Sequence, residues 1–138
     1  MICGWYRPPC RGKILSIANL REEYMNLHAN PIGTFIIGDM NVHQIRWLEY
    51  SRENSPEGAA LESFCGDFGF RECIRQPTRN EYLLDLMLTD IDGRIKSEVL
   101  PKIADHLCTC VRFSLNITRG EEVRREVWQL EKTSKIMS

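Results

Sequence analysis

Two short apolar runs constrain the fold more than any other feature: Thr34-Phe35-Ile36-Ile37 and Leu83-Leu84-Asp85-Leu86-Met87-Leu88-Thr89. Both are rich in strand-forming residues. A strand apolar on both faces belongs in the middle of a sheet covered on each side. The second run adds a chemical condition. Asp85 has aliphatic neighbours before and after it, and a carboxylate there is costly unless a partner meets it. The chain has 138 residues, 43% hydrophobic and 27% charged. That is about one domain's worth, with enough apolar surface for a core.

The rest of the pattern alternates. Ile2 to Tyr6 reads as a short strand stopped by Arg7-Pro8-Pro9. Ile14 to Leu27 places apolar residues near helical spacing. Asn30-Pro31-Ile32-Gly33 is a loop. Ser55-Pro56-Glu57 supplies an N-cap, a proline at the first helical position and an acid in the first turn, and Gly69 closes the helix after Phe68. Asp90-Ile91-Asp92-Gly93 is a turn from which Ile95 to Val99 pairs back on the preceding strand as a hairpin. Leu107 to Leu115 is the last strand, and residues 116–138 form a charged tail or linker outside the core. The class is α/β or α+β.

Several classes are disfavoured. The formal net charge is −1, so nucleic-acid binding must rest on a local site. No apolar run is long enough for a transmembrane helix, and the start lacks the features of a signal peptide. Cys3, Cys10, Cys65, Cys73, Cys108 and Cys110 contain no C-x-x-C pair, so they read as reduced thiols rather than a zinc site. These points predict an intracellular protein, nuclear or cytoplasmic, not secreted and without a membrane partner.

Chemistry concentrates where strands end. Asp39 and Asn41 follow an apolar strand and Gly38, and residues two apart in extended chain face the same way. They can aim into a cleft at the carboxyl end of the strand, or simply form a polar turn. Asp85 needs a partner, and imidazole is a natural one. His28 reads as a solvated helix-end residue and His43 as a loop residue. His106, in Ala104-Asp105-His106-Leu107, directly precedes a strand. Carboxylates with an imidazole and a carboxamide suit a hard divalent cation and a phosphate substrate. Neither a nucleophile-elbow serine nor a Gly-rich phosphate loop is present.

Five motifs occur in order: Trp5-Tyr6-Arg7-Pro8-Pro9, Ile37-Gly38-Asp39-Met40-Asn41, Gln76-Pro77-Thr78-Arg79, Leu84-Asp85-Leu86 and Ala104-Asp105-His106. Their order resembles the endonuclease/exonuclease/phosphatase (DNase-I-like) superfamily, which includes the abasic-site endonucleases. Tyr6-Arg7-Pro8-Pro9 and Gln76-Pro77-Thr78-Arg79 are most similar to the endonuclease domain of non-LTR (LINE-type) retrotransposon polyproteins. The resemblance spans Ile2 to Leu115.

It implies a Mg²⁺- or Mn²⁺-dependent phosphodiesterase acting on DNA, with a reverse transcriptase domain as a possible neighbour in the same polyprotein. Asp39 would orient or deprotonate the attacking water, and Asn41 would hold that water or a phosphate oxygen. His106 would donate to the phosphate with Asp85 orienting it, Tyr6 would touch the phosphate, and Asp105 would belong to the metal site. Thr78 is expected at the rim of the substrate groove, and Arg7, Arg11, Arg75 and Arg79 against flanking phosphates.

The family's metal-binding Glu lies in an N-terminal half that precedes the Tyr6 motif. Glu22, Glu23, Glu49 and Glu57 all follow that motif. The resemblance therefore implies a partial four-layer α/β sandwich: residues 1–115 would form its carboxyl-terminal half, and nicking would require the other half. Two alternatives are a small-molecule phosphoesterase of the same superfamily and a non-catalytic remnant.

Overall fold

The computed structural model describes residues 1–10, 12–27 and 32–114. Its elements are β1 (Ile2–Gly4), α1 (Leu15–Asn26), β2 (Phe35–Asp39), α2 (Pro56–Phe68), β3 (Arg71–Glu72), β4 (Asp85–Thr89), β5 (Ile95–Lys102) and β6 (Leu107–Phe113). The α/β class is the one expected. The tail at 116–138, Arg11 and His28 lie outside the described residues.

The two apolar runs pair with each other. A mixed sheet has the order β1-β2-β4-β3, with β1 parallel to β2 and the other pairings antiparallel. Phe35, Ile37 and Asp39 stand opposite Thr89, Met87 and Asp85, while Ile36 and Gly38 stand opposite Leu88 and Leu86. Because strand side chains alternate, each set shares a face. Ile36, Leu86 and Leu88 join Ile17 and Leu20 of α1 and Leu61, Phe64 and Cys65 of α2 in the main core. The Tyr24 ring stands edge-on to Phe64, Phe68 and Phe70, tying the two helices together.

The opposite face meets a separate two-stranded sheet of β5 and β6. Phe113 stacks obliquely on Phe35 with centroids 4.5 Å apart. The expected hairpin between β4 and β5 does not form. Both edges of β4 are already occupied, by β2 and by β3, so β5 pairs with β6 instead. The register of that pair shifts between Leu100 and Lys102, around Pro101, which has no N–H to give to a ladder.

Local chemistry explains the boundaries. The Ser55 hydroxyl accepts the Gly58 N–H at 3.0 Å, and Gly69 caps α2 in the left-handed conformation with φ 71°. Gly38 has φ 151°, and a Cβ there would collide with the Trp5 carbonyl. Glycine thus lets β1 approach β2, and Trp5 and Arg7 extend that pairing through N–H bonds to Ile37 and Asp39 carbonyls. All six cysteines are free, and burial pushes the Cys65 thiol up to about 12, so it behaves as a packing residue. Among the described residues, no helix is long and apolar enough to cross a membrane.

The two-residue strand β3 was not expected from the sequence. It holds Glu72, 5% exposed, whose Oε1 accepts the N–H groups of Ile74 at 2.8 Å and Met87 at 3.1 Å. Burial outweighs these bonds and raises its carboxyl to about 7 from 4.5. The folded chain therefore holds this proton more tightly than the unfolded chain. The contribution is full below the unfolded value and is lost as pH rises through the folded one. Glu72→Gln keeps an acceptor and removes the titration. Between about pH 5 and about pH 8 the wild type should lose up to about 3 kcal/mol relative to the variant. Urea unfolding at a series of pH values measures this, and parallel profiles would contradict it.

Candidate functional site

The β2–β4 register sets Asp39 directly opposite Asp85 at one end of the sheet, on the face turned toward β5 and β6. The loop from β5 to β6 brings His106 to them. Its Nδ1 lies 2.7 Å from Asp85 Oδ2, the pairing expected from the sequence. Its Nε2 lies 3.6 Å from Asp39 Oδ2 and 3.9 Å from Asp105 Oδ2. The imidazole thus meets three carboxylates: Nδ1–H donates to Asp85, and Nε2 faces Asp39 and Asp105.

Electrostatics match this crowding. Burial, and then the neighbouring Asp85 charge, raise the Asp39 carboxyl above its usual range, while the His106 ring and the Asn41 amides pull it down. Asp39 Oδ1 is buried without a hydrogen-bond partner. Ligand atoms of Asp39, Asp85 and His106 all lie within 4.8 Å of one another. Two facing carboxylates, an orphaned carboxylate oxygen and one imidazole fit a divalent cation. Among the described residues no glutamate joins this group.

Asn41 turns the chain out of β2. It holds φ 47°, a left-handed conformation that asparagine tolerates better than most residues, and its Nδ2 donates to the Arg7 carbonyl at 2.8 Å. Continuing the β1–β2 register places Tyr6 level with Asp39, on the same side of the sheet, and 65% exposed. Arg79 pairs with Asp105 at 3.3 Å. A groove of about 270 Å³ opens beside Asn41, lined by Pro9, His43, Arg52, Arg79 and Tyr82 among others. His43 stands edge-on to Tyr82 with centroids 5.3 Å apart, and burial followed by the Arg52 charge lowers its pKa. It is not part of the Asp39–Asp85–His106 group.

Two expected substrate contacts lie inside the protein instead. Arg7 is 1% exposed and Thr78 is fully buried, so Arg7 is not set against flanking phosphates and Thr78 does not lie at a groove rim. Thr78 Oγ1 accepts the N–H of Leu84 at 3.2 Å and of Asp85 at 3.0 Å, and its carbonyl accepts the Leu107 N–H at 2.7 Å. It pins the backbone on both sides of the Asp85–His106 pair. Nothing in the sequence signalled this, because a threonine in a turn reads as a surface residue. Thr78→Val strands two buried N–H groups and should cost about 1–3 kcal/mol, read by urea unfolding. Thr78→Ser, which keeps the acceptor, should recover most of the loss.

Comparison of the chain with protein-family models, with curated proteins and with solved structures finds no match.

Proposed function

We propose that this chain is the catalytic part of a divalent-metal-dependent phosphodiesterase acting on DNA, of the DNase-I-like class and of the kind carried by non-LTR retrotransposons. The observation that carries the reading is the Asp85–His106–Asp39 array, with contacts of 2.7 Å and 3.6 Å. The five motifs in family order support it. On this reading, residues 1–115 are the carboxyl-terminal half of a four-layer sandwich.

Each side chain then has a task. Asp39 accepts a proton from, or orients, the attacking water. Asn41 has its Nδ2 committed to Arg7 and its amides turned toward Asp39, and keeps its Oδ1 for the attacking water. Asp85 fixes the His106 ring so that Nε2, when protonated, donates to the phosphate oxygen on which charge builds. The Asp39–Asp85–His106 group would hold Mg²⁺ (or Mn²⁺) through its two carboxylates, the orphaned Asp39 Oδ1 included, and the resemblance assigns Asp105 to the metal site. The ion would supply charge neutralisation at the phosphate when bound. Two carboxylates bind Mg²⁺ weakly, since the ion keeps most of its waters. Full activity therefore calls for a further acidic ligand, such as the glutamate that the resemblance assigns to an N-terminal half.

The test is nicking of supercoiled plasmid in millimolar Mg²⁺, for the chain alone and for the chain fused to the N-terminal half of such an endonuclease. The fusion should nick, the chain alone should do so feebly, and Asp39→Ala or His106→Ala in the fusion should lower the rate at least about a hundredfold. A folded fusion that leaves plasmid intact would overturn the DNA reading. Release of phosphate from a small ester by the same protein would redirect it to a small-molecule phosphoesterase.

A further inference from the structure

The structure assigns to Arg7 the role of positioning residue for the Asp39–Asn41 turn. What that turn does rests on the phosphodiesterase reading, but what holds it rests on geometry alone. Arg7 makes three hydrogen bonds to the three-residue segment. Its backbone N–H donates to the Asp39 carbonyl at 2.9 Å, its carbonyl accepts Asn41 Nδ2 at 2.8 Å, and its Nη1 donates to the Asn41 carbonyl at 3.1 Å. The segment needs such a hold, because left-handed backbone at a residue other than glycine costs about 1 kcal/mol.

The guanidinium is itself fixed. Nε donates to Ser16 Oγ at 3.1 Å, Nη1 also to the Pro8 carbonyl at 3.4 Å, and Nη2 to the Cys10 and Lys13 carbonyls at 2.7 and 3.0 Å. Five N–H donors thus meet five acceptors. Glu57 Oε1 balances the charge at 3.9 Å, with side chains 1% and 5% exposed, and its Oε2 accepts the Gly12 N–H at 3.0 Å. The planar fork therefore joins the start of α1, the start of α2 and the end of β2 at one point. Lysine carries the charge but has a single nitrogen and three donors, and it cannot span acceptors arranged around a plane.

A conservative variant therefore separates charge from geometry. Arg7→Lys should retain the core methyl signals of Leu61, Leu86 and Leu88 in NMR spectra. It should shift and broaden the Asn41 side-chain amide and the His106 imidazole signals. It should also raise the dissociation constant for Mn²⁺, followed by the ion's EPR signal, by about ten- to a hundredfold, as loss of an outer support to a metal site does. Wild-type Asn41 and His106 signals in folded Arg7→Lys would overturn the assignment. If Arg7→Lys does not fold, Ser16→Ala decides, because it frees Nε alone: movement of the Asn41 amide supports the assignment, and an unmoved amide overturns it. None of these readouts depends on nicking. Failure of the fusion to cut DNA removes the phosphodiesterase reading and leaves the clamp standing.

Discussion

The antiparallel register of β2 and β4 is the constraint from which the candidate site follows. It sets Asp39 opposite Asp85, two like charges at the ends of two largely apolar strands. Left alone they would repel and resist burial. His106 meets both, bonding Asp85 through one ring nitrogen and facing Asp39 with the other. A shift of one residue in that register would turn one of the two carboxylates to the helix face of the sheet and break up the pair. The same pairing therefore fixes the core packing of Ile36, Leu86 and Leu88 and the direction of the polar cluster.

Topology delivers the histidine. β4 is bonded on both edges, so the chain that leaves it finds no edge of β4 to pair back on. It forms a second, two-stranded sheet over the face that carries the carboxylates, anchored at one end by Phe113 on Phe35 and near the other by the Leu107 N–H on the Thr78 carbonyl. His106 sits at the start of β6, level with that second anchor.

Three buried polar side chains do work that apolar residues cannot. Arg7, Thr78 and Glu72 each bind backbone groups that strand pairing leaves unsatisfied: loop carbonyls for Arg7, the Leu84 and Asp85 N–H groups for Thr78, and the Ile74 and Met87 N–H groups for Glu72. Buried backbone donors and acceptors must be paired. At the irregular chain reversals around this sheet, side chains do the pairing. Two of the three, Arg7 and Thr78, hold segments that bear the candidate site.

The sequence by itself determined what short-range chemistry controls. The caps Ser55 and Gly69 are local, so α2 was placed at Pro56–Phe68 as found. The apolar runs named two strands of the central sheet, and the isolated carboxylate of Asp85 named its need for a histidine. Only the tertiary structure decided the rest. β3 has two residues and no periodicity to read. The partner of β5 depended on which edges of β4 were already taken. The interior places of Arg7 and Thr78 depended on carbonyl and N–H groups gathered from segments distant in sequence. A polar side chain is buried when the fold brings it enough partners, and that count exists only once the chain has folded.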